Sequence, residues 1–366
     1  MASDAAVSTA PSRLKSARAR QGMLVLAGSG GLAILGAIMG IVLGPLDIGL
    51  ADLMNVLASN VGLADASEVS LVKKGVIENI RAPRVLLAIF VGASLGVAGA
   101  AMQGFFRNPL ADPGLIGVST GGALAAVAVI VLGGALFGPV LAVLGSFGMP
   151  IIAFFGSLAA VALIYQVSLV DGRVVVATML LAGVALNSLA AAGIGYMTFL
   201  ADDAQLRDLT FWTLGSLGGA VWDRVLPAIL LMSIAIAGLV TLARPMNSLL
   251  LGEADASTLG VNVELVKLRA AVLTALGVGA ATAVCGVIGF VGLVVPHLVR
   301  LMTGPDHRYV LPGSALLGAA LVLFSDLIAR LAVSPAELPL GVVTAAIGAP
   351  FFFWLLIKDK RKGLYG

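Results

Sequence analysis

Between residues 267 and 303 runs KLRAAVLTALGVGAATAVCGVIGFVGLVVPHLVRLMT, an apolar stretch too long for one crossing of a bilayer. As a single helix it would extend about 55 Å, against about 30 Å of hydrocarbon. Further apolar runs lie at 23–43, 85–106, 115–137, 150–169, 174–199, 225–243, 310–333 and 340–357. Only 11% of the 366 residues are charged and 60% are hydrophobic, a balance that excludes ordinary soluble domains. The chain reads as an all-α polytopic membrane protein.

Glycines 286, 289 and 292 offer a break in the long stretch, which makes two short spans of it and ten in all. Charge then sets direction. With ten spans both termini share a side, and that side holds 15 of the 22 Lys and Arg. Lys73, Lys74, Arg81, Arg84, Arg207, Arg224 and Arg330 lie opposite. The excess places both termini in the cytoplasm, and nine spans would instead export the KDKRK tail. The expected organisation is a cytoplasmic tail at 1–22, one transmembrane domain at 23–357 with an outer segment at 45–84, and a cytoplasmic tail at 358–366. Arg13, Lys15, Arg18 and Arg20 ahead of the first run imitate a secretory leader. That run is too long for one and ends in Gly44-Pro45 without a cleavage pattern, so it reads as a retained span.

Gly36, Gly40 and Gly44 recur every four residues, as do Gly92 with Gly96 and Gly117 with Gly121, small faces on which helix backbones can approach. VGASLGVAGAAMQGFF (91–106) echoes VGAATAVCGVIGFVGL (278–293), and PGLIGVSTGGALAA (113–126) echoes PGSALLGAALV (312–322). The members of the first pair fall at spans of opposite direction, the arrangement of inverted repeats.

Several chemistries are missing. There is no phosphate loop of the G-x-x-x-x-G-K-[ST] kind, so ATP hydrolysis is not expected of this chain. The two histidines, His297 and His307, have no ligand cluster around them, and no serine nucleophile elbow occurs. No catalytic residue, metal or bound cofactor is expected. Cys285 cannot form a disulfide within the chain and reads as a buried thiol. Asp326 and Arg330 stand four apart on one helix face, a pairing distance. So few carboxylates within spans argue against a proton-driven carrier.

From RAPRVLLAIFVGASLGVAGAAMQGFFRNPLADPGLIGVSTGGA (81–123) onward the sequence resembles the FecCD-type permeases of bacterial ABC importers. The resemblance continues through LTFWTLGSLGGAVW (209–222), LLLGEADASTLGVN (249–262), GFVGLVVPHLVRLMTGPDHR (289–308) and AELPLGVVTAAIGAPFFFWLL (336–356). It implies a homodimeric permease of the bacterial inner membrane with ten helices per subunit. Two cytoplasmic ATPases, the users of ATP and Mg, would bind below and a periplasmic substrate-binding protein above. The cargo would be an iron chelate, with haem favoured by the wording of 106–126 and 211–222, and siderophore or cobalamin as alternatives. A secondary carrier is the rival from another class.

FFRNPLADPG (105–114) reads as the cytoplasmic turn between the second and third spans, because Pro109 and Pro113 lack the N–H that would continue a helix. The resemblance makes Asn108 and Leu110 part of a cytoplasmic gate, with a second element at Val176 and Ala177. Arg81, Arg84 and Arg330 break the charge rule at outer span ends. Reaching up to lipid headgroups is one explanation for Arg81 and Arg84, and pairing with Asp326 one for Arg330. The resemblance offers another, docking of all three to carboxylates of the binding protein. In the segment 247–262, Leu251, Gly252, Glu253, Ala254, Leu259 and Gly260 frame a short helix with acids in its first turn. It reads either as a surface loop or, by resemblance, as the coupling helix that meets the ATPase.

Overall fold

Apolar runs of this length become helices because a helix closes its own backbone hydrogen bonds where no water can. A computed structural model of the chain describes residues 10–62, 70–334 and 336–361. The parts of the expected tails and outer segment at 1–9, 63–69 and 362–366 lie outside the described residues. In chain order the helices are α1 (Ala10–Val42), α2 (Leu50–Asn60), α3 (Leu71–Val76), α4 (Ala82–Phe105), α5 (Val118–Leu132), α6 (Gly138–Leu144), α7 (Gly148–Val167) and α8 (Val176–Leu200). Next come α9 (Asp203–Leu214), α10 (Trp222–Thr241), α11 (Ala243–Leu249), α12 (Glu253–Thr258), α13 (Val263–Cys285), α14 (Val291–Thr303), α15 (His307–Leu331) and α16 (Leu340–Arg361). Between α7 and α8 lies a hairpin of β1 (Leu169–Val170) and β2 (Arg173–Val174).

Among the described residues, seven helical runs are long and apolar enough to cross a membrane. α5, α14 and the Leu340–Trp354 part of α16 are apolar but shorter. Together they fall where the ten spans are expected. The long stretch is indeed two helices: α13 stops at Cys285, Gly286 takes a left-handed φ of 73°, and α14 starts at Val291. Gly292 has a different use from the one expected. It lies inside α14, where a Cβ on Gly99 of α4 would strike its carbonyl oxygen.

α4 is the centre of the bundle, buried along almost its whole length and packed on α15, α13, α14 and α10. Its Gly92 and Gly96 lie against the backbone of Gly318 and Ser314 in α15, close enough that any side chain would collide with a carbonyl oxygen. The spaced glycines therefore do pack helices, as expected. The members of the first echo differ locally: 91–106 is helical as far as Phe105, whereas 278–293 is interrupted at 286–290.

Some boundaries differ from the apolar runs. α1 begins as far back as Ala10, since nothing in its Ala, Arg and Lys-rich start stops a helix. The expected span 115–137 is α5 alone, preceded by a 3₁₀ turn at Pro113–Ile116 and followed by a π turn at Gly133–Phe137. α9 lies outside every apolar run, and its start is fixed by a capping box between Asp202 and Gln205.

Candidate functional site

At the end of the bundle away from the start of α1, a π turn at Ile77–Arg81 leads into α4, and the Ala82 N–H reaches back to the Ile77 carbonyl. Pro83 supplies the reason, because it has no N–H to give the Asn79 carbonyl that a regular helix would pair with it. Arg81 donates to the carbonyls of Ile41 at 2.6 Å, Val42 at 2.8 Å and Leu46 at 2.6 Å. These include carbonyls at the C-terminus of α1, which no amide of that helix can reach. Gly44 leaves the space: a Cβ there would lie 2.7 Å from an Arg81 Nη.

Arg84 holds two carboxylates. Its Nε and Nη2 donate to Asp326 Oδ1 at 3.0 and 2.9 Å, and Nη1 and Nη2 donate to the two oxygens of Glu337 at 2.8 and 2.9 Å. Arg330 Nε forms an ion pair with Asp326 Oδ2 at 3.1 Å, and Nη2 donates to the Gly40 carbonyl at 3.2 Å. The three arginines expected at this end are thus gathered in one cluster, only 4%, 8% and 6% exposed. They do not reach out to headgroups. Their guanidiniums turn inward, and the expected Asp326–Arg330 pair is present with Arg84 as a second partner. Glu337, 42% exposed at its side chain, is the open edge of the cluster.

At the opposite end, α4 runs out into the turn expected at 105–114. Arg107 adopts a left-handed φ of 51°. Asn108 fastens both sides of the turn: its N–H donates to Gln103 O, and its side-chain oxygen accepts from Leu110 N at 2.9 Å. Asp112 accepts from Gly114 N at 2.7 Å and so opens the 3₁₀ turn. Desolvation within the turn pushes its carboxyl above the ordinary carboxylate range, against the pull of the Gly114 amide.

The turn is fastened to α8. Asn187 donates to Gly114 O at 3.1 Å and is hydrogen-bonded to the Thr120 hydroxyl, while Gly183 lies against the Leu115 carbonyl. Val176 and Ala177 begin this same helix, Val176 half-buried and Ala177 exposed. No hydrogen bond joins Asn108 or Leu110 to Val176 or Ala177 among the described residues; the link between the two segments runs through Asn187. Sequence reasoning passed over Asn187, although it is the sole amide side chain in a 25-residue apolar helix.

α12 is the short helix expected after Gly252, whose φ is 123°, and Gly260 at φ 82° closes it. Glu253 and Asp255 occupy its first turn, Ala256 is buried beneath it, and Leu251 and Leu259 are about two-thirds exposed at 64% and 63%. A groove of about 690 Å³ separates α12 from the hairpin and is lined by Arg173, Glu253, Ala254, Gly260 and Glu264 among others. The hairpin was not anticipated. Its signal is Asp171-Gly172, both at positive φ, the dipeptide that a two-residue turn between strands prefers. Nearby, Asp306 caps α15 through the Arg308 N–H, accepts from Asn247 and pairs with the Arg308 side chain at 2.6 Å. Those bonds, led by that to Arg308, lower its carboxyl to about 2.

Residues 32–358 match the FecCD transport family. The chain belongs to that family. This FecCD chain is 49% identical to the hemin transport system permease HmuU of Yersinia pestis, over 78% of its own length and 84% of that protein's. It is 43% identical to a cobalamin import permease, BtuC, of Halobacterium salinarum, over 78% and 74% of the two lengths. The vitamin B12 permease of Vibrio cholerae is 41% identical over 83% and 89%. Among solved structures, a metal-chelate type ABC transporter in an inward-facing conformation superposes with a TM-score of 0.78 at 29% identity, covering 91% of this FecCD chain and 99% of its own. The FecCD chain is accordingly a multi-pass membrane permease of an ABC importer.

Proposed function

We propose that this permease works as a homodimer in the bacterial inner membrane, with both termini cytoplasmic, and carries haem. The observation behind the cargo is the greater likeness to the haemin permease than to either cobalamin permease. α8 fits a path at the dimer interface: Leu181, Val184, Leu189, Tyr196 and Phe199 are each more than half exposed in the single chain, an apolar wall suited to a porphyrin face. Asn108, Leu110, Val176 and Ala177 from both copies would close the cytoplasmic mouth.

Leu251, Gly252, Glu253, Ala254, Leu259 and Gly260 would meet a cytoplasmic ATPase dimer, which binds and spends ATP with Mg. The periplasmic binding protein would dock at the arginine cluster. Because Arg84 already holds Glu337, and Glu337 is the exposed member, docking would proceed by exchange of Glu337 for a carboxylate of the partner. Arg81 and Arg330 would hold the site in shape.

Uptake into proteoliposomes containing the permease, its ATPase and its binding protein tests this reading. ATP-dependent accumulation of haem is expected. Accumulation of cobalamin or a ferric siderophore but not haem overturns the cargo. Accumulation by the permease alone, abolished by a protonophore, overturns the mechanism in favour of a secondary carrier.

A further inference from the structure

Lys267 is withdrawn from solvent, at 2% exposure. Its ammonium donates to Glu253 Oε2 at 2.8 Å, to Glu264 Oε1 at 3.5 Å and to the Val174 carbonyl at 3.3 Å. Glu264 turns its other oxygen to the Val174 N–H at 3.0 Å. Both backbone polar groups of Val174 are therefore held by side chains of α13, and the ammonium that holds one of them also holds the first residue of α12. An ammonium has three protons to donate, and here each has an acceptor.

The three acceptors belong to three different segments. Glu253 starts α12, Glu264 lies in the first turn of α13, and Val174 ends β2, two residues before Val176 opens α8. Only Val175 intervenes, and its N–H is tied to Ser168 O across the base of the hairpin at 2.9 Å. Stability alone is a poor reason for such a junction, since an apolar residue of similar volume serves a buried position at least as well as a buried ion pair. What the ammonium adds is connection. If α12 shifts against α13, either the Glu253–Lys267 bond breaks or Val174 is drawn along.

We propose that Lys267 is a positioning residue that carries displacement of α12 to the hairpin and so to the Val176–Ala177 start of α8. The inference rests on the coupling and gate roles proposed for these segments, and adds the part that joins them.

The test uses the assembled permease–ATPase complex with Ala177→Cys as a probe, labelled by a membrane-impermeant maleimide with and without nucleotide. Cys285 is buried and does not compete. In the parent the labelling rate is expected to change on nucleotide binding. Lys267→Met is expected to leave assembly and ATP hydrolysis in place while reducing that change about tenfold, the scale of a coupling between sites. Lys267→Arg, which keeps the charge, should restore most of it. If Lys267→Met responds like the parent, the inference falls and the gate and coupling roles stand. A parent that shows no response to nucleotide removes the gate role and this inference with it. Hydrolysis and response falling together would mark Lys267 as merely structural, also against it. Should Lys267→Met fail to assemble, Glu264→Leu, which has no acceptor to offer, releases the Val174 N–H instead; the same loss of response is expected, and an unchanged response overturns the link.

Discussion

Arg84 and Asp326 are 242 positions apart in the sequence and 2.9 Å apart in the fold. The contact locks the start of α4 to α15 at one end, while Gly92 and Gly96 let the same two helices touch lower down. Asp326 is also the counterion of Arg330, so one carboxylate compensates two buried cations.

Asp326→Ala should therefore be among the costliest single changes in this chain. It leaves the buried Arg330 without a carboxylate and Arg84 with Glu337 alone, and loss of one partner of a buried pair typically costs about 3–5 kcal/mol. The expected result is a clearly lower midpoint of thermal unfolding in detergent. A midpoint equal to that of the parent would show that the cluster is solvated in a way its burial contradicts.

Glu337 gives a prediction of opposite sign. If docking exchanges this carboxylate for one on the binding protein, Glu337→Gln weakens the internal competitor, since a neutral acceptor holds a guanidinium less strongly. Affinity for the binding protein, measured by titration calorimetry, should rise by about 1 kcal/mol, or roughly fivefold. Arg81→Ala with Arg84→Ala should lower it while assembly with the ATPase persists. A Glu337→Gln variant that binds more weakly would make Glu337 itself a docking residue and end the exchange model.

Gly96 tests the helix contact directly. In Gly96→Val the new side chain meets the Ser314 carbonyl, a rigid backbone atom that cannot swing aside. Overpacking of this kind costs about 1–3 kcal/mol. Gly28→Ala in α1, where a Cβ meets nothing within 4 Å, should leave the unfolding midpoint unchanged or slightly raised. Equal behaviour of the two variants would contradict the close approach of α4 and α15.

How much of the fold and of the site is legible in the sequence depends on range. The Asp326–Arg330 pair is legible because a spacing of four fixes neighbours on a helix. The break at Gly286 is legible because so long an apolar run exceeds the bilayer. Asp171-Gly172 carries its hairpin signal locally, but the apolar runs on either side mask it. The choice of Glu337 for Arg84, and of Glu253 and Val174 for Lys267, depends on which helices pack together. No local pattern encodes that, so a lysine near a span end reads in the sequence only as a topology marker, whereas the fold buries it at a junction of three segments.

Asp306 offers a pH test outside the membrane spans. Its carboxyl is lowered from 3.8 to about 2, chiefly by the Arg308 side chain. A depressed carboxyl stabilises the folded state fully above its unfolded value and loses that contribution as pH falls through the folded value. Because Arg308 is well exposed, at 62%, solvent screens the ion pair, and the cap on α15 is the larger share, typically about 1 kcal/mol. Asp306→Ala should accordingly lower the unfolding midpoint at neutral pH by a degree or more, roughly what about 1 kcal/mol implies for a chain of this size. The gap to the parent should hold steady down to about pH 5 and close between there and about pH 2. A gap of the same size at both limits would mean that the charge on Asp306 contributes nothing to holding Asn247, Arg308 and the start of α15 together.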